Sequence, residues 1–543
     1  MKHNQKYQQL QQAVRLIYYV AIFGVFPLCC RYQYRDMGNF KYRIFLVATV
    51  IFTVTGGILV SAGHNNPGTG KKQCRWKNVS KLDKAVLIFL GCNVLSFLFT
   101  SFKKEAFLGS AGWNMGFLTV LLLILSYFLI ADSRDDESAL SGKTVEWWGL
   151  QILLVSSFLV FLIAIFHRFD VDILNIYGNI PDKYKIEFLT TVGQASWYSS
   201  FLCTVWPLGL YLFYAEKKKA YRIWYGVYTA AGAMSLVTQN TDTAFLSLGL
   251  VLLLLFYMSQ EDEKGTERFF ECLLLVLTVF KGTGILQQIF KYRMIPLDAL
   301  SLQMTQGNIT SAVLTVCLLI YIGLRKRETV KNGPVKKTAE KIYRVLRSRK
   351  FFYLTVILIG ICVSGVIIFI ACNTSGFLMK HFGIQLEHPY FYFDEKWGNL
   401  RGFTWEFSVD YFRQLPFGRK LIGVGPDCFC EYYKTVPEFQ TRVSSFFSDL
   451  ILTNAHNEYL TKLINLGLLG LFSYLAVFAA GITEFLRGRK KCSLQGAFVL
   501  ITGAYAVHNI FCYEQVCSTP FFVILIAIGN RIYCQFREGN IKA

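Results

Sequence analysis

Long apolar runs separated by short polar stretches occupy most of this 543-residue chain. A helix must present about 20 mostly apolar residues to cross a bilayer, and about fourteen segments meet or approach that length. The pattern predicts an all-α, polytopic helical membrane protein. The predicted spans are 13–30, 43–62, 85–101, 114–131, 148–166, 195–214, 222–239, 242–258, 268–287, 307–324, 351–371, 463–482, 494–512 and 518–534.

Composition agrees with a membrane protein and limits its partners. Charged residues are only 17% of the chain, whereas a soluble domain has about 25%. The net charge of +21 is concentrated at 217–222, 325–350 and 487–491. Short cationic loops stay in the cytoplasm, so both termini are predicted to be cytoplasmic. Because the positive charge lies in these loops, the predicted partners are membrane lipids and not nucleic acid. Positions 31–43 then face outward with four basic residues, which the rule disfavours.

The chain divides into three predicted parts. Residues 1–371 hold eleven spans and the basic loop 325–350, which has the pattern of an amphipathic helix lying on anionic headgroups. Residues 372–457 form a large, partly helical extracytoplasmic loop, and 458–543 hold the last three spans. The spacing of cysteine and histidine residues matches no zinc site, and no cofactor is expected.

Within the external loop, residues 399–415 have the periodicity of an amphipathic helix, with Asn399 as a suitable N-cap. Gly423 and Gly425 permit a tight turn after this helix, although a lone Gly-x-Gly is weak support for a phosphate loop. The polar stretch 426–454 is expected to cover the site as a lid or loop. One predicted helical stripe holds Leu400, Phe403, Phe407 and Tyr411.

His456 is the strongest candidate for catalysis. It is predicted to stand at the N-terminus of the helix that continues into the 463–482 span, with Thr453 or Asn454 as the cap. The positive end of the helix dipole favours a neutral imidazole, which can accept a proton as a general base. The backbone N–H groups that are free at the N-terminus of a helix also favour binding of an anion such as diphosphate. The alternative is a histidine that caps the helix or lies among lipid headgroups.

Arg401 is the strongest candidate for binding phosphate. A guanidinium binds phosphate with two parallel hydrogen bonds, and Trp405, one turn later, could stack on a sugar or rest at the membrane interface. The alternative is a surface arginine paired with Glu406 or Asp410. Arg413 and Arg442 are weaker candidates for the same role.

These residues form a pattern that resembles the conserved core of the O-antigen ligase / O-antigen polymerase superfamily of membrane glycosyltransferases. The order and spacing match over about 80 residues, most specifically at the histidine and the glycine-rich helix after it. Two upstream segments, 109–122 and 193–208, resemble looser family segments. The matching motifs are Arg401 with Trp405, Gly423-Val424-Gly425, His456-Asn457-Glu458-Tyr459-Leu460 and Gly467-Leu468-Leu469-Gly470.

The resemblance implies a GT-C-like, metal-independent, inverting enzyme in the bacterial cytoplasmic membrane. Its donor would be a glycan linked to undecaprenyl diphosphate at the outer leaflet, and its acceptor a lipid, wall polymer, protein or glycan. His456 matches the histidine that activates the acceptor hydroxyl, and Arg401 matches an arginine that holds the donor diphosphate. Trp405, Asn457 and Glu458 become candidates to position the glycan.

The chain departs from the family at 239–243. Many ligases have a Ser-Arg pair there, whereas this chain has Asp242. A carboxylate repels phosphate, so Asp242 is expected to orient a sugar hydroxyl or to hold Arg401, or else to cap the 242–258 helix. The second phosphate-binding cation must then be another residue, with Arg293, Arg413 and Arg442 as candidates.

Ligase and polymerase differ only in the acceptor, and the His-Asn motif favours a ligase. A flippase or exporter of lipid-linked oligosaccharide is the alternative from another class. It predicts charged residues around a central cavity, two similar halves and short external loops, none of which the sequence shows. A non-catalytic scaffold or sensor is a further alternative, with the external loop as its binding domain.

Overall fold

The computed structural model describes residues 2–64, 79–110, 112–131, 143–262, 264–329, 333–448 and 450–537. A π-helical turn, Val20–Val25, extends the first helix, a 3-10 turn spans Tyr32–Tyr34, and strands β1 (Phe188–Leu189) and β2 (Gly193–Gln194) pair antiparallel. In chain order the helices are α1 (Lys2–Tyr19), α2 (Met37–His64), α3 (Lys81–Phe99), α4 (Lys103–Leu108), α5 (Phe117–Ala131), α6 (Val145–Arg168), α7 (Asp182–Lys185), α8 (Ala195–Ala215), α9 (Lys219–Thr238), α10 (Thr243–Ser259), α11 (Gly265–Ile289), α12 (Ala299–Gln306), α13 (Asn308–Thr329), α14 (Pro334–Leu346), α15 (Arg349–Thr374), α16 (Phe377–Phe382), α17 (Trp397–Gln414), α18 (Phe417–Ile422), α19 (Phe429–Tyr433), α20 (Pro437–Phe447), α21 (Glu458–Gly488), α22 (Gln495–His508) and α23 (Thr519–Arg537).

The predicted class, an all-α polytopic membrane protein, is confirmed. Every one of the fourteen predicted spans coincides with a helix. Among the described residues, nine helices are long and apolar enough to cross a membrane, and α5 and α10 are shorter apolar helices. The other three, α8, α9 and α22, pack against one another or against α10 within the bundle. Helices enclosed by protein need less apolar surface than helices that face lipid.

The three basic clusters lie at one end of the bundle. Glu261 accepts a hydrogen bond from Arg349, with 2.7 Å between nitrogen and oxygen, and also pairs with Arg489. Arg268 donates to the backbone carbonyl of Ala215, two residues before the first cluster, at 3.1 Å. The clusters therefore share one face of the bundle, as their charge predicted.

Helix α14 confirms the predicted amphipathic helix in the basic loop. Ala339, Tyr343 and Leu346 are buried, and their spacing places them on one face of the helix. Residues 330–332 of the predicted loop lie outside the described residues.

The polar segment between α15 and α21 folds around an aromatic core of its own. The ring of Phe403 stacks on that of Phe446 with 4.0 Å between centroids, and Phe407, from the same helix, meets Phe439 at 5.6 Å. The stretch 426–454, predicted as a lid or loop, contains the helices α19 and α20, which pack on α17. The segment lies at the end of the bundle opposite the basic clusters.

Helix α21 is interrupted at Gly467, which has φ 69° and ψ −170°. The predicted continuous span is wrong at this point. The interruption leaves two carbonyls without helical partners. The N–H of Val424 donates to the carbonyl of Ile464, and the N–H of Gly425 to that of Asn465, each at 3.0 Å. Irregular backbone at membrane depth is tolerated where protein replaces the lost hydrogen bonds in this way.

The Gly-x-Gly turn therefore serves α21 and not a phosphate. A Cβ added to Gly423 would lie 2.2 Å from the carbonyl oxygen of Asn465, and one added to Gly467 would lie 2.3 Å from the carbonyl carbon of Leu421. Only glycine lets the two backbones approach this closely.

Replacing Gly467 with alanine should destabilise the fold strongly. A backbone with φ 69° and ψ −170° is essentially restricted to glycine and costs another residue about 1–3 kcal/mol, and the clash with Leu421 adds to that cost. Thermal unfolding of the purified protein in detergent measures the effect. Gly418→Ala is the matched control, because a Cβ there meets no atom within 4 Å. Equal unfolding temperatures for the two variants would contradict the close approach.

Candidate active site

His456 lies just before α21, and Asn457 caps that helix. The side chain of Asn457 accepts a hydrogen bond from the N–H of Leu460 at 3.1 Å, so the prediction of Thr453 or Asn454 as the cap is wrong. Asn454 instead accepts from the backbone N–H of His456 at 2.9 Å. This turn holds His456 in the left-handed region, with φ 48°, where histidine and asparagine are the residues most often tolerated.

The imidazole of His456 is partly buried and uncharged at neutral pH. Its pKa is lowered to about 4, first by burial and then by the positive charge of Arg401. The neutral state predicted from the sequence is supported, although burial and not the helix dipole is the main cause. Within the described part of the chain the ring makes no hydrogen bond, and it lies nearly perpendicular to the ring of Tyr513 with 5.1 Å between centroids. A neutral imidazole with an available nitrogen can accept a proton.

Arg401 begins the regular part of α17. The three residues before it, Gly398, Asn399 and Leu400, are left-handed, with φ between 60° and 69°. Asn399 is therefore not the N-cap, and the prediction that it would be is wrong. Leu400 is exposed and leaves the predicted stripe, whereas Phe403, Phe407 and Tyr411 are buried as predicted.

Backbone carbonyls hold the guanidinium of Arg401. It donates to the carbonyl of Gly398 at 2.7 Å and to that of Phe511 at 3.1 Å. In the described residues no carboxylate lies within ion-pair distance, so the alternative pairing with Glu406 or Asp410 is wrong. Burial lowers the pKa of Arg401, but an arginine remains charged under all ordinary conditions. The guanidinium is a partly buried positive charge that forms no ion pair with any described residue.

Arg401 and His456 lie on the same side of the molecule, on segments that are tied together. The hydroxyl of Thr404 donates to the carbonyl of Ala455 at 3.2 Å, which joins α17 to the turn before α21. The loop after α22 contacts both residues, through the Phe511 carbonyl on Arg401 and the Tyr513 ring on His456. The structure thus brings together the two residues that the sequence singled out.

Tyr513 is a site residue that sequence reasoning missed. Its hydroxyl accepts from the indole N–H of Trp197 at 3.2 Å and donates to the side chain of Gln194 at 3.2 Å. Its ring lies 4.9 Å from that of Trp113. Both tryptophans belong to the looser resembling segments, 109–122 and 193–208, which therefore meet beside His456. Ala111, within the first of these, lies outside the described residues.

Asp242 stands at the N-terminus of α10 but does not cap it, so the predicted cap role is wrong. One carboxylate oxygen accepts from the hydroxyl of Tyr390 at 3.1 Å, and the other is buried without a hydrogen-bond partner in the described protein. Asp242 is close enough to Arg401 for the two charges to interact. Tyr390 also escaped sequence reasoning, although it lies in a conspicuous aromatic run, 390–393.

The three candidates for the second cation differ in their surroundings. Arg413 is exposed and lies 3.5 Å from Asp410. Arg442 pairs with Asp410 at 2.9 Å and with Glu406 at 3.4 Å, so its charge is already compensated. Arg293 is exposed and forms no ion pair within the described residues.

Trp405 lies beside the candidate site, but Glu458 is turned into the protein. The ring of Trp405 meets that of Phe511 at 5.4 Å, and its indole N–H and that of Trp397 are buried without partners in the described protein. Unpaired buried donors of this kind are rare and need a physical reason, and a bound ligand is one. Glu458 instead pairs with Lys462 at 2.9 Å.

The site is built from protein donors and one base, without a cluster of metal ligands. In the described ranges no three His, Cys, Asp or Glu side chains gather as a metal site would require. What the arrangement offers is an uncharged base, an unpaired cation and buried indole donors at one end of a helical bundle. It suits an anionic ligand placed beside a hydroxyl group that gives up a proton.

Comparison with known families agrees with this geometry. The family model for O-antigen ligase matches residues 294–475, a range that contains Arg401, Trp405 and His456. The predicted resemblance to the O-antigen ligase superfamily is confirmed. A comparison with curated proteins finds no match to the chain.

Proposed function

We propose that this protein is an O-antigen ligase-like glycosyltransferase. It moves a glycan from undecaprenyl diphosphate to an acceptor hydroxyl at the outer face of the bacterial cytoplasmic membrane. The observation that supports this function best is that the guanidinium of Arg401, which forms no ion pair among the described residues, lies close to the neutral imidazole of His456. Both residues fall within the range that matches the O-antigen ligase family model.

The reaction requires one base and charge stabilisation. The imidazole of His456 takes the proton of the acceptor hydroxyl as its oxygen attacks the anomeric carbon of the glycan. The bond from that carbon to the diphosphate oxygen breaks, and undecaprenyl diphosphate leaves with the electron pair. Attack from the face opposite the leaving group inverts the anomeric configuration. Arg401 stabilises the charge that develops on the diphosphate, and Trp405 and Trp397 donate their free indole N–H groups to the donor.

Other residues of the site then take supporting roles. Arg293 is the candidate for the second cation, because Arg413 and Arg442 already face carboxylates. Asp242 has a free carboxylate oxygen for a sugar hydroxyl, and its negative charge helps to fix Arg401. Asn457 caps α21 directly after His456, and Glu458 supports the fold through its ion pair with Lys462.

The proposed placement puts residues 372–457 outside and the basic clusters and both termini inside. The fold is GT-C-like, and the mechanism uses no metal, as the family resemblance implies. We favour a ligase over a polymerase because of the His-Asn motif, so the acceptor is a lipid, a wall polymer or a protein and not a second lipid-linked repeat. A flippase moves its substrate without proton transfer and does not need an uncharged base beside a phosphate-binding cation, so these residues favour the transferase.

Reconstitution tests the function directly. The purified protein in proteoliposomes is given an undecaprenyl-diphosphate glycan and candidate acceptors, and glycosylated acceptor is measured by mass spectrometry. Transfer with release of undecaprenyl diphosphate is the expected result. Movement of the donor between leaflets without transfer would favour an exporter and overturn the proposal.

The pH dependence should reveal donor binding at His456. Because the pKa of His456 is about 4 in the empty site, kcat/KM for the donor should stay flat from about pH 5.5 to 8. An anionic diphosphate beside the imidazole favours the imidazolium and raises its pKa. The acid limb of kcat should therefore lie at higher pH than that of kcat/KM. Coincident limbs near pH 6.5, the usual pKa of histidine, would contradict this description.

A further inference from the structure

Helix α15 stands away from the bundle over half of its length. Every residue from 356 to 368 is exposed, on all faces of the helix, which at 1.5 Å per residue is about 20 Å. The mean hydropathy of α15, 2.9, is the highest among the candidate spans. Within the described protein, no other element packs against these turns.

The first turn of α15 is nevertheless fixed to the C-terminal end of α10. The ring of Phe352 lies 5.0 Å from that of Tyr257. The guanidinium of Arg349 donates to the backbone carbonyl of Tyr257 at 2.8 Å. The two helices therefore touch at the end of the bundle that holds the basic clusters.

The last turn of α15 is fixed as well, through the segment that follows it. The side chain of Asn373 donates to the carbonyls of Leu386 and Phe391, each at 2.8 Å. In the same segment, Tyr390 donates to Asp242, which precedes α10. α10 and α15 run antiparallel, are joined at both ends and are separated between them.

The space between the two helices is open and apolar. A Cβ added to Gly249 of α10 or to Gly360 of α15 would meet no atom within 4 Å. Leu246, one turn into α10, is 50% exposed. The opening ends at Asp242, which is within electrostatic reach of Arg401.

We propose that this gap between α10 and α15 is a lateral opening that takes the polyprenyl chain of the donor while the diphosphate lies at Arg401. The inference rests on the proposed function and adds the path of the lipid. The gap matches the donor along its length. Its middle is lined by apolar side chains, which suit the prenyl chain, and its end is polar, which suits the diphosphate. A second copy of this chain docked on α15 is the competing occupant, and the test below separates the two.

The opening should act on donor access and not on the chemical step. Lipid tails are as apolar as leucine side chains, so a prenyl chain gains little by leaving lipid for the gap. Its benefit is to bring the diphosphate to the site in one orientation. Obstruction should raise the KM for a long-chain donor and leave kcat unchanged.

Tryptophan substitutions on opposite faces of α15 provide matched variants. At 100° per residue, Ile359 and Val363 lie within about 20° of Phe352, the residue that faces α10. Ile361 and Ile368 lie on the far side. All four are exposed, so none of the substitutions disturbs a packed core.

Each variant is assayed for glycan transfer with the undecaprenyl donor and with a short-prenyl analogue. Ile359→Trp and Val363→Trp should raise the KM for the long donor about tenfold or more and leave the short donor unaffected, whereas Ile361→Trp and Ile368→Trp should match the wild type. Equal effects on both faces, or no effect of the inner pair, would overturn the opening. Loss confined to the outer pair, with loss of dimer on mass photometry, would assign α15 to a second copy. Failure of the wild type with both donors would reject the proposed function itself.

Discussion

Replacing His456 with glutamine should lower kcat for glycan transfer by about 10²–10⁴-fold, the usual contribution of a general base. Glutamine fills a similar volume but cannot take the acceptor proton. Because the guanidinium of Arg401 remains, the KM for the donor should change little. Steady-state transfer in proteoliposomes, with product measured by mass spectrometry, separates the two constants.

Two control variants distinguish loss of the general base from loss of the folded structure. His381→Gln changes an exposed histidine of α16 and should retain full activity. His456→Gly should be as inactive as His456→Ala but more stable, by about 1 kcal/mol, because glycine adopts the left-handed backbone without strain. A His456→Gln variant that keeps near-wild-type kcat would remove the imidazole from the mechanism.

The membrane helices could be predicted from the sequence because their signal is local. Every predicted span corresponds to a helix, and the stripe of Phe403, Phe407 and Tyr411 is buried. The interruption of α21 at Gly467 could not be predicted in the same way. It depends on hydrogen bonds from residues 424 and 425, which are distant in sequence and leave no periodic pattern.

The candidate site could be predicted where the type of a residue alone suggests its chemistry. Arg401 and His456 were chosen in this way, as a cation and a base, and both lie at one end of the bundle. The local rules failed where a tertiary contact replaced a local one. Asp242 turns from its own helix to accept from Tyr390, and Tyr513 contacts His456 from a loop that no motif marks.

Replacing Arg401 with glutamine should lower transfer by about 10²–10³-fold, the range seen when one preorganised charge donor is removed from a site. Arg401→Lys should recover only part of this loss, because an ammonium keeps the charge but not the two parallel hydrogen bonds of the guanidinium. Arg413→Gln is the matched control. It lies on the same helix, and its side chain is 74% exposed, so its activity should be unchanged.

Replacing Arg401 should also change the pKa of the His456 imidazole. The guanidinium helps to lower the pKa of the imidazole, so its removal should raise that pKa and shift the acid limb of kcat/KM for the donor to higher pH. The direction follows because a positive neighbour disfavours the imidazolium. Arg401 also holds α17 through the carbonyls of Gly398 and Phe511. If Arg401→Gln lowers transfer without weakening donor binding or moving the acid limb, the guanidinium acts on the fold of α17 and not on the diphosphate.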